Sequence, residues 1–284
     1  PPPPPPPFQA EDGIRDHLLG LVGSEMCIRD RDYLTVEEAI NTPGLRVVLT
    51  ASVPGPWGES VKALLAHKGI NYAPVAQVGG GANEALQQWT GQSSAPVLVL
   101  DDNPPVSHWL DQLHFIERMH DNNPLLPEPM GARAEVIGLS ALIAGADGIG
   151  WNRRLQLFAP SMVLAEVPEQ VQRMAQKYGY SPQQAERASA KLLAQLAHLD
   201  SVMARQEQAG REYLVGDTVT AADFYLAHFA GLIKPLGPED NPMPDWLRVQ
   251  YESADDPTKT AFTPRLTALR DRMFERHIKL PLEF

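Results

Sequence analysis

Apolar residues recur along this chain in two rhythms, and the change from one to the other falls near residue 123. Before it, short β-branched runs alternate with helical spacing: RVVLTAS at 46–52, YAPVAQ at 72–77 and the run after Pro96 in SAPVLVL each read as a strand. Between the first two, Trp57, Val61, Leu64 and Leu65 recur at helical spacing, and Gly69 stands where a left-handed C-terminal cap belongs. Thr35 lies three residues before Glu38, a capping-box spacing that opens a short helix ahead of the first strand, and Gly44 closes that piece. A short helical stretch reaching Trp89 follows the flexible GGGAN at 79–83. Pro96 fits the first residue of a strand, and the turn residues Asp101 to Pro104 predict a hairpin to a short fourth strand. Trp109, Leu113, Ile116 and Met119 then mark another helix, so the order is β-α-β-α-β-β-α.

DNNPLLPEP at 121–129 reads as an inter-domain linker, and from about Gly131 to Phe284 every pattern is helical. Turns are expected at Gly179 to Ser181, at Gly216, at Gly237 to Pro244 and at Ala254 to Pro257. Ser181-Pro182 and Thr263-Pro264 each set an N-cap residue before a proline at the first helical position. Thr220-Ala-Ala-Asp223 is a further cap, with a carboxylate reaching back to free amides ahead of the apolar run FYLAHFAGLI, which predicts a buried helix.

The first 31 residues belong to neither rhythm. They open with the prolines Pro1 to Pro7, which form an extended, solvated helix with no core-forming face, and continue through FQAEDGIRD and LVGSEMCIRDR. That stretch resembles translated adapter read-through, and it lacks the basic start and uninterrupted apolar run of a secretory signal. The division expected is therefore a leader at 1–31, an α/β domain at 32–122, a linker at 123–130 and a helical domain at 131–284. Setting the leader aside removes Cys27, the single cysteine, so chemistry on the remainder has no protein thiol to use. With a formal net charge of −11 the chain is a poor partner for nucleic acid or an anionic membrane, and no apolar run approaches a membrane span; the cytoplasm is the expected compartment. The eight histidines show no metal-ligand spacing, and no phosphate-binding Gly-Lys-Ser/Thr loop occurs.

Three separated segments, LTASVPGPWGESVKALL, APVLVL and YLVGDTVTAADFYLA, fall in an order that resembles the glutathione S-transferase family across nearly all of 32–284. The third is the most specific, because Gly216, Asp217, Thr220 and Asp223 match the family's Gly-Asp-x-x-Thr-x-x-Asp cap of a core helix. The resemblance implies an α/β thioredoxin-like domain followed by an all-α domain. It also implies a homodimer that binds glutathione as co-substrate, with no metal and with a small apolar electrophile as second substrate. Pro96 then corresponds to the cis-proline of thioredoxin-like folds, with the Ala95 backbone offered to the cysteinyl part of glutathione. Asp111 and Gln112 occupy the place of the pair that binds the γ-glutamyl end.

At the position of the family's thiolate-activating hydroxyl or thiol this chain has Gly55. Ser52 is the nearest hydroxyl and the catalytic candidate, and the amides of Gly58 and Glu59 at the helix start are a second route to the same end. Trp57 is placed to wall the sulfur pocket. In GADGIGWNRRLQLF, Trp151 and Arg154 are candidates to line the electrophile pocket, a plain helix joint being the other reading, and Arg153 is assigned to the surface. Two functions follow from different classes: a glutathione-conjugating, detoxifying enzyme, or a non-catalytic binder of glutathione or apolar ligands that has lost the hydroxyl.

Overall fold

A computed structural model describes residues 33–284; the leader and Cys27 lie outside the described residues. Thr35 and Glu38 form the expected reciprocal capping box on α1 (Val36–Ile40). Strand β1 (Leu45–Thr50) is followed by α2 (Pro56–His67), β2 (Ala73–Gln77), α3 (Glu84–Thr90), β3 (Val97–Leu100) and α4 (Trp109–Met119). The strands lie in the order β2-β1-β3, with β2 parallel to β1 and β3 antiparallel, so α2 is the crossover helix the sequence predicts. The predicted fourth strand is reduced to a single bridge between Leu98 and Val106. Pro104 and Pro105 carry no N–H, so the segment has no donors with which to extend a ladder.

Strand periodicity sorts the sheet's two faces. Val47, Leu49 and Leu98 join Val61, Leu64 and Leu65 of α2 and Leu113 and Ile116 of α4 on one side. Val48, Val75, Val97 and Val99 meet Ala39 of α1 and Leu86 of α3 on the other. Gly69 takes φ +67 behind α2, as a left-handed cap requires. The buried Lys68 beside it donates to the carbonyls of His120 and Asn122 at 2.8 and 3.0 Å and pairs with Glu117 at 2.8 Å. Glu117 in turn accepts from the amides of Leu125 and Leu126. One ion pair thus pins the stretch that joins the sheet to the helices.

The remainder is helical: α5 (Met130–Ala144), α6 (Ile149–Phe158), α7 (Glu169–Lys177), α8 (Pro182–Gln208), α9 (Ala221–Phe229), α10 (Asp245–Glu252), α11 (Asp256–Ala261) and α12 (Pro264–Arg276). Met130–Val163 is long and apolar enough by composition to cross a membrane, unlike any run expected from the sequence, but it is half-buried and broken between α5 and α6 at Gly145 to Gly148. Ser181 and Thr263 cap α8 and α12 as predicted, accepting from Gln184 and Leu266 at 3.1 and 3.3 Å. Every residue of α9 is buried, and the helix packs against α2, α5 and α12. Asp223 holds its start, accepting from the amides of Leu214 and Thr220 and from the Thr220 hydroxyl, all at 2.8 Å. The core that α9 fills continues into the sheet's α2 side, so both halves share one apolar interior.

Candidate functional site

The turn between β1 and α2 carries the candidate thiolate-holding groups. Ser52 is half-buried with φ +63, a left-handed conformation that costs a non-glycine residue free energy and is enriched at functional sites. Gly55 is the N-cap of α2 and Pro56 its first residue. The helix therefore begins so that the Glu59 amide is already taken by the Gly55 carbonyl at 2.9 Å. This corrects the sequence reading: the open N–H groups of the first turn belong to Trp57 and Gly58, because Pro56 has none and Glu59 is the first amide with an intrahelical acceptor. Gly58 sits close over the strand, where an added Cβ would lie 3.3 Å from Leu49 Cδ2.

The Ala95-Pro96 bond is cis, as the resemblance implies. Val48 pairs with Val97 in the antiparallel register, so Ala95 lies opposite Thr50, at the same sheet end as Ser52. Two amides brace this edge. The buried Gln77 accepts from the Thr50 hydroxyl at 2.8 Å and donates to the carbonyls of Val78 and Ser93 at 2.7 and 3.1 Å. Asn83 donates to the Ser93 carbonyl at 3.0 Å as well. Gln112, 2% exposed, donates to the carbonyls of Pro96 and Val106 at 2.9 and 3.1 Å. Both its amide hydrogens are thus spent supporting the cis-proline turn. Asp111 beside it is exposed, with His108 at 3.7 Å.

Trp57 reaches from the first turn of α2 into the helical half. Its indole N–H donates to the Ala144 carbonyl at 2.8 Å, and its ring meets Phe229 edge-on at 4.8 Å and Tyr178 at 6.1 Å. Tyr178, just past α7, is the hub of this surface. Trp151 donates to its carbonyl at 3.0 Å and lies 4.7 Å from its ring, and Phe158 lies at 5.6 Å. Arg154 donates to the Tyr251 hydroxyl at 3.1 Å, stands over that ring at 5.5 Å and lies beside the Tyr178 phenol. Burial pushes the Tyr178 phenol up, with Arg154 opposing the shift. Burial, and then the Arg154 charge, lowers the Lys177 ammonium, whose Nζ lies 5.6 Å from the Tyr178 ring. Arg153, assigned to the surface by sequence, is 3% exposed: its guanidinium bonds the Leu232 carbonyl at 2.9 Å, and burial lowers it to about 10. The arginine one step around α6, Arg154, is the one that shares the aromatic surface.

Helix α7 closes over the loop after β2. Gln170 donates to the Gly79 carbonyl and Arg173 to the Gly80 carbonyl at 3.2 Å, and Gly80 has φ +71 with no space for a Cβ against Gln170. The structure thus joins Trp57, Trp151 and Arg154 through Tyr178, and sets Ser52, Ala95 and Pro96 together at the sheet end. Sequence reasoning did not find Tyr178 or Gln77. Tyr178 sits in KYGYSP, which reads as a turn, and Gln77 ends a strand with nothing in its spacing to mark a brace. A separate cavity of about 380 Å³ lies on the α2 face opposite Trp57, lined by Lys62, Ala66, Tyr72 and Leu282 among others. Among the described residues no three His, Cys, Asp or Glu side chains gather as a metal site would.

Residues 151–277 match the family model described as the glutathione S-transferase C-terminal domain. Among solved structures, the chain is similar to a glutathione S-transferase from Methylobacterium radiotolerans in complex with glutathione sulfonate, at 21% identity and TM-score 0.58, covering 82% of this chain and 91% of that one. A glutathione S-transferase from Methylobacillus flagellatus with glutathione bound aligns at 17% identity and TM-score 0.56, over 82% and 95% of the two chains. A beta-etherase from Sphingobium sp. strain SYK-6 aligns at 17% identity and TM-score 0.57, over 83% and 97%. No curated protein matches the chain.

Proposed function

From the premise that this chain carries a glutathione S-transferase C-terminal domain on the glutathione transferase fold, we propose that it binds glutathione and transfers its thiolate to a small, largely apolar electrophile. The observation that carries the proposal is the sheet end itself. The first turn of α2, the left-handed Ser52 and the cis Ala95-Pro96 edge meet at one end of the sheet, and two solved structures similar to this chain hold glutathione sulfonate or glutathione.

In this reading the Ala95 backbone pairs with the cysteinyl unit and Asp111 meets the γ-glutamyl ammonium, while Gln112 acts through the turn it braces. The thiol, whose free pKa is about 8.5, is held as thiolate by the open N–H groups of Trp57 and Gly58, with Ser52 as a further donor. Trp57 walls the sulfur on one side, and Trp151 and Arg154 line the second pocket. The sulfur lone pair forms the new bond to the electrophilic carbon, and the leaving group departs with the electrons of the bond it breaks. A cytoplasmic homodimer is the assembly proposed, and detoxification the role. The second reading, a binder without turnover, draws on Gly55, which gives the helix start no side-chain hydroxyl.

Retention on immobilised glutathione, followed by conjugation assays with aryl halides and epoxides, separates the two: retention with turnover supports the enzyme, and retention without turnover supports the binder. Ultraviolet absorbance of the bound thiolate against pH then reports the activating group. If Ser52 donates, Ser52→Ala raises the bound thiol's pKa and slows conjugation roughly 100-fold. If the backbone amides suffice, Ser52→Ala is silent. A bound thiol that titrates near 8.5, as the free thiol does, in the unmodified protein would refute activation by either group.

A further inference from the structure

The helical half provides for its arginines unevenly. Arg153 bonds the carbonyls of Leu232 and Gln250 and the side chains of Gln156 and Ser253. Arg248 bonds the carbonyls of Leu236 and Asn241 and pairs with Glu252, and Arg270 bonds the Lys234 carbonyl and pairs with Asp271. Arg154 has one side-chain hydrogen bond, to the Tyr251 hydroxyl, with the Tyr178 phenol beside it. Its Nε is buried without a partner, and among the described residues no carboxylate pairs with it. A second cation, Lys177, stands over the Tyr178 ring at 5.6 Å, again with no ion pair among the described residues.

Two positive charges on one aromatic surface, without an anion, are out of keeping with a chain whose net charge is −11. Holding a cation partly out of water against neutral hydroxyls costs free energy that a bound anion would return. The chemistry of the surface is also selective. The Tyr251 oxygen that accepts from the guanidinium keeps its own O–H to donate, so the Arg154 guanidinium and the two phenols together form a donor set for a planar, two-oxygen anion. Trp151, Tyr178 and Trp57 offer ring faces beside it for an aromatic body.

We propose that Arg154 is the specificity-determining residue of the second-substrate pocket, and that it holds the carboxylate of an acidic aromatic substrate whose ring lies against Trp151 and Tyr178. Lys177 adds charge at the rim. The assignment of the ligand as a substrate rests on the transferase reading; recognition of the anion does not. In the conjugation step the carboxylate is a spectator: the thiolate sulfur bonds the ring carbon that bears the leaving group, and chloride, in the probe below, departs with the bonding pair.

The test uses two matched probes without a leaving group, 3,5-dinitrobenzoate and its methyl ester, titrated by quenching of tryptophan fluorescence in the full chain without glutathione. The acid is expected to bind about tenfold more tightly than the ester, a difference typical of a charge-assisted hydrogen-bonded pair. Arg154→Gln should abolish that preference while leaving ester affinity in place, and Arg154→Lys should keep part of it. Lys177→Gln, at the last residue of α7, should lower acid affinity a fewfold, and added salt should do the same. Equal binding of acid and ester, or an acid preference that survives Arg154→Gln, overturns the proposal. Conjugation of 4-chloro-3,5-dinitrobenzoate and its methyl ester with glutathione is followed in parallel. Acid-selective binding without turnover removes the transferase reading and keeps the anion site, whereas turnover with no acid selectivity removes the anion site and keeps the transferase.

Discussion

Replacing Asp223 by Asn changes one charge at the start of the most deeply buried helix, and the consequence can be worked out from its contacts. The carboxylate accepts from the amides of Leu214 and Thr220 and from the Thr220 hydroxyl, each at 2.8 Å, in a fully buried setting. Asparagine keeps one acceptor oxygen and sets an NH₂ against donors, so at least one buried N–H loses its partner at a cost of roughly 2–3 kcal/mol. For a chain of this size that lowers Tm by roughly 4–12 °C.

The pH dependence is sharper still, because burial raises the carboxyl from 3.8 to about 6 against the pull of its three donors. A folded-state value above the unfolded one means that the folded protein binds this proton more tightly between those pH values. The associated stability is fully present below 3.8 and is lost as pH rises through about 6. Between pH 7.5 and 5 the natural chain should therefore gain roughly 1–2 kcal/mol over Asp223→Asn, which has no such proton, and the Tm gap between the two should widen by a few degrees on acidification. Paired thermal melts at the two pH values measure this, and effects of the other carboxylates cancel in the difference. A gap that stays constant, or narrows, on acidification refutes the raised value.

Lys68→Met should cost roughly 3–5 kcal/mol by leaving Glu117 without its buried partner, and Lys68→Met with Glu117→Gln should recover much of it. Urea denaturation decides, and a single variant within experimental error of the natural chain would show that the pair does not hold the linker. Gly150→Ala would bring a Cβ to 2.2 Å from Phe229 Cε1 and 3.1 Å from Trp57 Cη2, so a loss of roughly 1–3 kcal/mol and a changed tryptophan emission are expected. Gly131→Ala, which meets nothing within 4 Å, is the silent control. Gln77→Leu should weaken retention on immobilised glutathione more than it lowers Tm, since it releases Ser93 ahead of the cis-proline edge; a fall in Tm with retention intact would make Gln77 a structural residue alone.

Local chemistry was enough to determine the elements of this protein. Thr35 with Glu38, Ser181 with Pro182, Thr263 with Pro264 and Thr220 with Asp223 each satisfy helix-end amides within four residues of sequence, so the starts they mark are legible without a fold. The β-branched runs and the helix between them likewise give the parallel crossover. What depends on contacts across the chain was decided only by tertiary structure. The fourth strand failed because two prolines withheld donors that a partner strand would need. Arg153 and Arg154 share composition and neighbours in sequence, yet the turn of α6 carries one toward the Leu232 carbonyl and the other toward Tyr178 and Tyr251, residues 24 and 97 positions away. Gln112 reads in sequence as a glutathione-binding residue and Gln77 as an ordinary strand-end amide, until the structure shows both side chains bracing the cis-proline turn. Sequence periodicity encodes which face of an element is buried; it does not encode which acceptor waits there, because that acceptor is supplied by another element.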